Sequence, residues 1–290
     1  MKTYCECHGH IFMNGADYRE GMTAHKNGPD LTLIRAHLAA CRDSGITYFR
    51  DGGDALGVSL AARNLAPEYG IRYVTPAFAI HRKGRYGGIV GFGYETLSEY
   101  RQLLARARRE GADFIKLMFS GILYFDTYGH LSCPPLPPQE IHVLVDMAHK
   151  EGFSVMAHVN GPEALHAALE AGTDSIEHGY FMDEEDLSLL AEGKTIWVPT
   201  MAAIAPFAHR PGCSEAVVEE ILRRQGALLQ RAAAMGALIA TGSDSGAVGV
   251  PHGEGIHTEE VLLTRALGDS AREVLARGNQ ALLARFPGKD

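Results

Sequence analysis

The run YCECHGHIF places two imidazoles one residue apart, at His8 and His10. On a strand, side chains at i and i+2 point to the same face, so this pair could present two nitrogen donors to one metal ion. Alone it is as easily an accident of composition. Four later groups change that reading: Lys116 in DFIKLM, His158 in VMAHVN, His178 in SIEHGY and Asp244 in ATGSDSG, each in or at the end of a short apolar run. Each has an ordinary explanation by itself. A lone histidine packs and hydrogen-bonds, a strand lysine can run its stem along apolar surface, and an aspartate can cap the segment that follows it. If one fold gathers all six, burying them together is costly without a compensating cation. The set then reads as a metal centre.

The elements that would gather them alternate from end to end. Strand-like runs occupy 4–12, 46–51, 71–80, 113–120, 153–159, 174–179, 195–200 and 238–244, rich in β-branched and aromatic residues. Amphipathic helical runs occupy 31–44, 57–66, 95–110, 138–151, 161–171, 183–192, 214–235, 257–267 and 270–285. SGIT, YGIR, EGADF, EGFS, AGTD, EGKT and MGALI each set a glycine where a helix ends and a strand begins. Eight strand–helix units in one chain of 290 residues fit an α/β fold of the (β/α)8 barrel type over residues 1–290. A doubly wound open sheet is the competitor, but no GxGxxG follows the first strand. The segments leaving strands are long and chemically varied, including HRKGRYGGIVGFGY, SGILYFDTYGHLSCPPLPP and SDSGAVGVPHGEG. In a barrel such loops gather at one face and build the site.

Composition narrows the partners. A formal net charge of −8 speaks weakly against a nucleic-acid backbone as partner. No apolar stretch approaches the length of a membrane span. The five cysteines, 5, 7, 41, 133 and 213, are odd in number and scattered, and read as reduced thiols of a cytoplasmic protein. Cys5 and Cys7 flank His8, but no second thiol pair completes a structural zinc site.

HxH on the first strand, lysine on the fourth, histidines on the fifth and sixth and aspartate on the eighth resemble the amidohydrolase superfamily. More narrowly, GADFIKLM, AHVNGPEALHAALEAGTDSIEHGYFMDEEDLSLLAE, VPT, TGSDSG and PHG are similar to its Xaa-Pro dipeptidase and imidazolonepropionase-like branch. The resemblance implies a centre of two divalent ions, usually zinc, bridged by hydroxide and by a CO2-derived carbamate on Lys116. It implies that His8, His10 and Asp244 hold the buried ion and His158 and His178 the more exposed one. It further implies hydrolysis of an amide bond in a small molecule, such as a dipeptide or N-acyl amino acid, with Asp244 moving the proton. Lactone or phosphoester hydrolysis, or a non-catalytic metal-binding barrel, are the alternatives. Candidates for orienting substrate are Tyr180, His81, Arg82, Arg85, His130 and His252, with Arg82 and Arg85 expected to grip a substrate carboxylate.

Three departures from the family pattern stand out. Glu6 replaces the usual aspartate two residues before HxH, Ile256-His257 follows PHG where an asparagine is expected, and the family's accessory β-sandwich is absent from the sequence. The chain therefore reads as a bare or truncated barrel. A barrel face left without its sandwich is expected to self-associate as a homo-oligomer.

Overall fold

The computed structural model describes residues 2–288. Ten strands are present among the described residues: β1 (Tyr4–Gly9), β2 (Ile46–Asp51), β3 (Arg72–Val74), β4 (Ala79–Arg82), β5 (Gly91–Tyr94), β6 (Ile115–Met118), β7 (Val155–Val159), β8 (Ser175–His178), β9 (Ile196–Val198) and β10 (Leu238–Ile239). The helices are α1 (Tyr18–Ala24), α2 (Leu31–Asp43), α3 (Val58–Leu65), α4 (Leu97–Arg109), α5 (Pro138–Lys150), α6 (Pro162–Glu170), α7 (Glu184–Glu192), α8 (Glu215–Ala234), α9 (Glu254–Leu267) and α10 (Ala271–Arg285). Among the described residues no helix is long and apolar enough to cross a membrane.

The strands pair in parallel in two runs, β1-β2-β3 and β10-β9-β8-β7-β6-β4-β5. Backbone hydrogen bonds join the runs at both seams. Cys7 N donates to Thr241 O at 3.0 Å, Asp244 N to His8 O at 2.8 Å and His10 N to Ser245 O at 2.7 Å, carrying the chain after β10 along β1. At the other seam Asp113 N donates to Thr75 O at 2.9 Å. The single strand expected over 71–80 is broken at Pro76, which has no N–H to give, into β3 and β4. Counting these two as one, the round is β1, β2, β3/β4, β6, β7, β8, β9 and β10: an eight-membered parallel barrel.

Two elements escaped the sequence reading. The segment 81–94, expected as loop, returns as β5 alongside β4, and the short polar helix α1 has one buried residue, Gly21. The other helices start and stop where local chemistry dictates. Asp30 caps α2 by accepting from Thr32 N and Leu33 N, and Pro138 opens α5, whose Ile141, Leu144, Val145 and Ala148 form one buried stripe. On the far side α10 lies so close to β10 that a Cβ on Gly278 would come 1.8 Å from Ile239 O. Gly278→Ala is therefore expected to force the helix off the barrel and destabilise it by about 2 kcal/mol or more, read as a fall in melting temperature. An unchanged melting temperature would mean the helix can shift freely.

Candidate metal centre

Beta geometry delivers the donors to one end of the barrel. His8 lies near the end of β1 and His10 directly after it, Lys116 lies mid-β6, and His158 and His178 stand near the ends of β7 and β8. Asp244 follows β10. All six line one cavity of about 460 Å³. His8 Nε2 lies 3.3 Å from Lys116 Nζ and 3.6 Å from Asp244 Oδ1, and His10 Nε2 is 3.7 Å from the same oxygen. His8, His10 and Asp244 offer ligand atoms all within 4.8 Å of one another. The imidazoles form a chain, with ring centroids 5.4 Å apart for His8–His10, 5.0 Å for His8–His178 and 4.6 Å for His158–His178.

The back of the site fixes which nitrogen faces inward. His8 Nδ1 is 2.7 Å from Glu177 Oε2. His178 Nδ1 is 2.7 Å from Thr200 Oγ1, and His158 Nε2 is 3.2 Å from Gly121 O. Each of these rings thus spends one nitrogen on an acceptor behind it and turns the other toward the cavity, the usual arrangement of metal-binding histidines. His10 lies with its ring against Gly52, where a Cβ would come 2.2 Å from Cε1. Glu177 is itself held, accepting from Arg50 Nη2 at 2.8 Å and Ser175 Oγ at 2.5 Å. Glu6 accepts from Ser243 N at 2.7 Å and from Ser243 Oγ. The longer carboxylate thereby ties β1 to the segment carrying Asp244.

Electrostatics suit a cation. Burial pushes all four ring pKa values down, to about 3 for His10 and His158, so the rings are neutral and keep their lone pairs. Burial raises Asp244 to about 6 and lowers Lys116 to about 8. Near neutral pH a minority of Lys116, about a tenth, is then free amine, the form that captures CO2. The donor set and its geometry fit divalent metal: imidazole nitrogens plus carboxylate oxygen.

The amidohydrolase family model matches residues 32–286. The chain belongs to the amidohydrolase family. It is similar to the ochratoxinase of Aspergillus niger, at 28% identity covering 83% of this chain and 56% of that protein. The chain thus spans little more than half the length of that curated relative. An uncharacterised protein of Mycobacterium tuberculosis is also 28% identical, covering 88% of this chain and 68% of its own. Among solved structures, a Xaa-Pro dipeptidase with bound methionine in the active site has a TM-score of 0.75 at 23% identity, covering 98% of this chain and 75% of that one. The A. niger ochratoxinase structure has a TM-score of 0.77 at 21% identity, covering 99% and 72%. These likenesses bear out the (β/α)8 barrel.

In this amidohydrolase the residues expected to orient substrate scatter. Tyr180 lines the cavity, its hydroxyl donating to Thr200 O at 3.0 Å. Arg82 instead faces the helix layer and donates to Glu140 Oε1 at 2.5 Å. Arg85 is engaged by Pro134 O at 3.0 Å. His130 is exposed and pairs with Asp126. His252 is buried outside the cavity lining, 2.8 Å from Met13 O and with its ring tilted against that of His37. His81 is half-buried with its ring under Gly93, and like the other four it does not line the cavity. Ile256 is a core residue and His257 packs edge-on to Tyr4, so the departure after PHG lies outside the cavity wall. The sequence reading also missed Arg50, Glu177 and Thr200; a charged residue inside an apolar strand, as in ITYFRD and SIEHG, is the visible signal for the first two.

Proposed function

We propose that this amidohydrolase is a metal-dependent hydrolase of an amide bond in a small molecule, of the dipeptide or N-acyl amino acid kind. The observation carrying this is the convergence of His8, His10, Lys116, His158, His178 and Asp244 on the floor of one 460 Å³ cavity. His8, His10 and Asp244 would hold one divalent ion and His158 and His178 a second, with zinc the best match to nitrogen and oxygen donors. Lys116 amine and CO2 would combine to a carbamate with loss of a proton, giving both ions an anionic bridge. Bound cations supply Lewis acidity and a water that loses its proton near neutral pH.

The chain's own residues do the rest. Glu177 and Thr200 hold the His8 and His178 rings in the tautomers that face the floor. Asp244 accepts the proton of the attacking water and delivers it to the leaving nitrogen as the C–O bond forms and the C–N bond breaks. The test is a screen of dipeptides, N-acyl amino acids, lactones and phosphoesters with metal content measured in parallel. Amide cleavage supports the reading. Turnover confined to lactones or phosphoesters, or none with metal present, overturns it.

Self-association belongs to the same proposal, with light scattering at high concentration expected to show a dimer or larger species. A monodisperse monomer counts against it. The exposed large apolar residues include Leu31, Leu97, Val143, Met235 and Val261, on or beside five different helices.

A further inference from the structure

We infer that the cavity selects amides by a bulky uncharged group, aryl or branched alkyl, and does not depend on a free carboxylate in the substrate. This rests on the hydrolase reading above and narrows it to a substrate class. Above the ligand floor the walls are carbon-rich. Tyr18, Tyr86, Phe125 and Phe207 supply aromatic surface, with Ile89 and Val248 among the aliphatic residues between them. Phe207 is stacked on Phe125 with centroids 4.3 Å apart and planes inclined at 23°, and the Tyr86 ring lies 5.2 Å from that of His158. The residues bearing this surface come from α1 and from the segments after β4, β6, β9 and β10, which the fold has brought together around one space.

The polar inventory of those walls is short. Asn160 accepts from Tyr180 N at 3.1 Å and donates to Gly121 O at 3.4 Å, while the Tyr180 hydroxyl is taken by Thr200 O. Tyr18 and Tyr86 are the other two tyrosines of the lining. Among the described residues no arginine lines the cavity, and its one lysine is Lys116 on the floor. A carboxylate moved into such walls loses its water without gaining a cation there, whereas an aryl or branched alkyl group gains burial. A cavity of about 460 Å³ has room for such a group beside the scissile amide.

Three substrates separate charge from bulk: N-acetylphenylalanine, its methyl ester and N-acetylglycine, each read by release of acetate. We expect kcat/KM for N-acetylphenylalanine to exceed that for N-acetylglycine by about tenfold or more. The neutral ester should match or exceed the acid to within about threefold. Phe207→Ala should shrink the phenylalanine-to-glycine ratio by about fivefold or more, chiefly through KM. Glycine taken as well as phenylalanine, or an ester worse than threefold, overturns the inference even if the amides are hydrolysed. Calorimetric binding of the same compounds to Asp244→Asn protein reads the preference independently of turnover. Failure of hydrolysis alone therefore strikes the proposed function, and a wrong binding order strikes this inference.

Discussion

Asp244→Asn is expected to keep the fold and most of the metal while turnover of any amide falls by about 10²- to 10⁴-fold. The backbone argues for an intact fold. Asp244 sits at φ +62°, in the left-handed region that asparagine tolerates as well as aspartate. Its N–H still donates to His8 O, because that bond belongs to the main chain. An amide oxygen can stand beside the His8 and His10 nitrogens where Oδ1 now lies, 3.6 and 3.7 Å away. What the amide lacks is the capacity to take a proton and return it. The measurement is kcat on the best substrate from the screen, with metal content by elemental analysis on the same sample. Near-normal kcat would remove Asp244 from the chemistry.

Lys116→Met is expected to lose at least one of the two ions proposed above and nearly all activity. Methionine keeps most of the volume, so the loss reads chemistry more than a cavity in the barrel. Lys116 is buried, its nitrogen 3.3 Å from His8 Nε2 and surrounded by imidazoles. An ammonium there repels a cation, while a carbamate attracts two. His158 and His178 alone would leave the second ion with too few ligands for tight binding. Metal-stripped wild type should regain its ions faster with bicarbonate present, and the variant should ignore bicarbonate. Unchanged metal content in Lys116→Met would show that no bridge forms there.

The barrel was legible because two local signals agreed along the chain: strand-length apolar runs, and a glycine ending each helix just before them. The candidate donors were legible because they lie within those runs or at their ends, and a barrel gathers its chemistry at one end of its strands. What could not be read was direction. Arg82 and Arg85 lie in a glycine-rich stretch that sequence treats as loop, but β5 pairs beside β4 and Glu140 at the start of α5 claims Arg82. The Arg50–Glu177–His8 chain joins positions more than a hundred residues apart, and no local pattern says which strand charges will meet. Proline at 76 could have signalled the break between β3 and β4. The polar, short α1 offers a helix pattern too weak to separate from loop.

His178 and Asp244, at φ +69° and +62°, hold conformations that side-chain-bearing residues avoid, and Thr200 behind His178 does so at φ +50°. Each costs on the order of 1 kcal/mol or more, and two of the three are donors to the floor. The working end of the barrel is thus where activity and heat tolerance pull apart. Without metal, Asp244→Gly should melt above wild type, since glycine relaxes the turn and removes a largely buried carboxylate. With metal the order should reverse, because only wild type gains the binding energy of a complete ligand set. A lower melting point for the metal-free variant would show that no such tension is stored there. Selection of this chain for heat resistance alone, in metal-poor medium, would accordingly erode the catalytic end first and leave the helix-clad remainder of the barrel untouched.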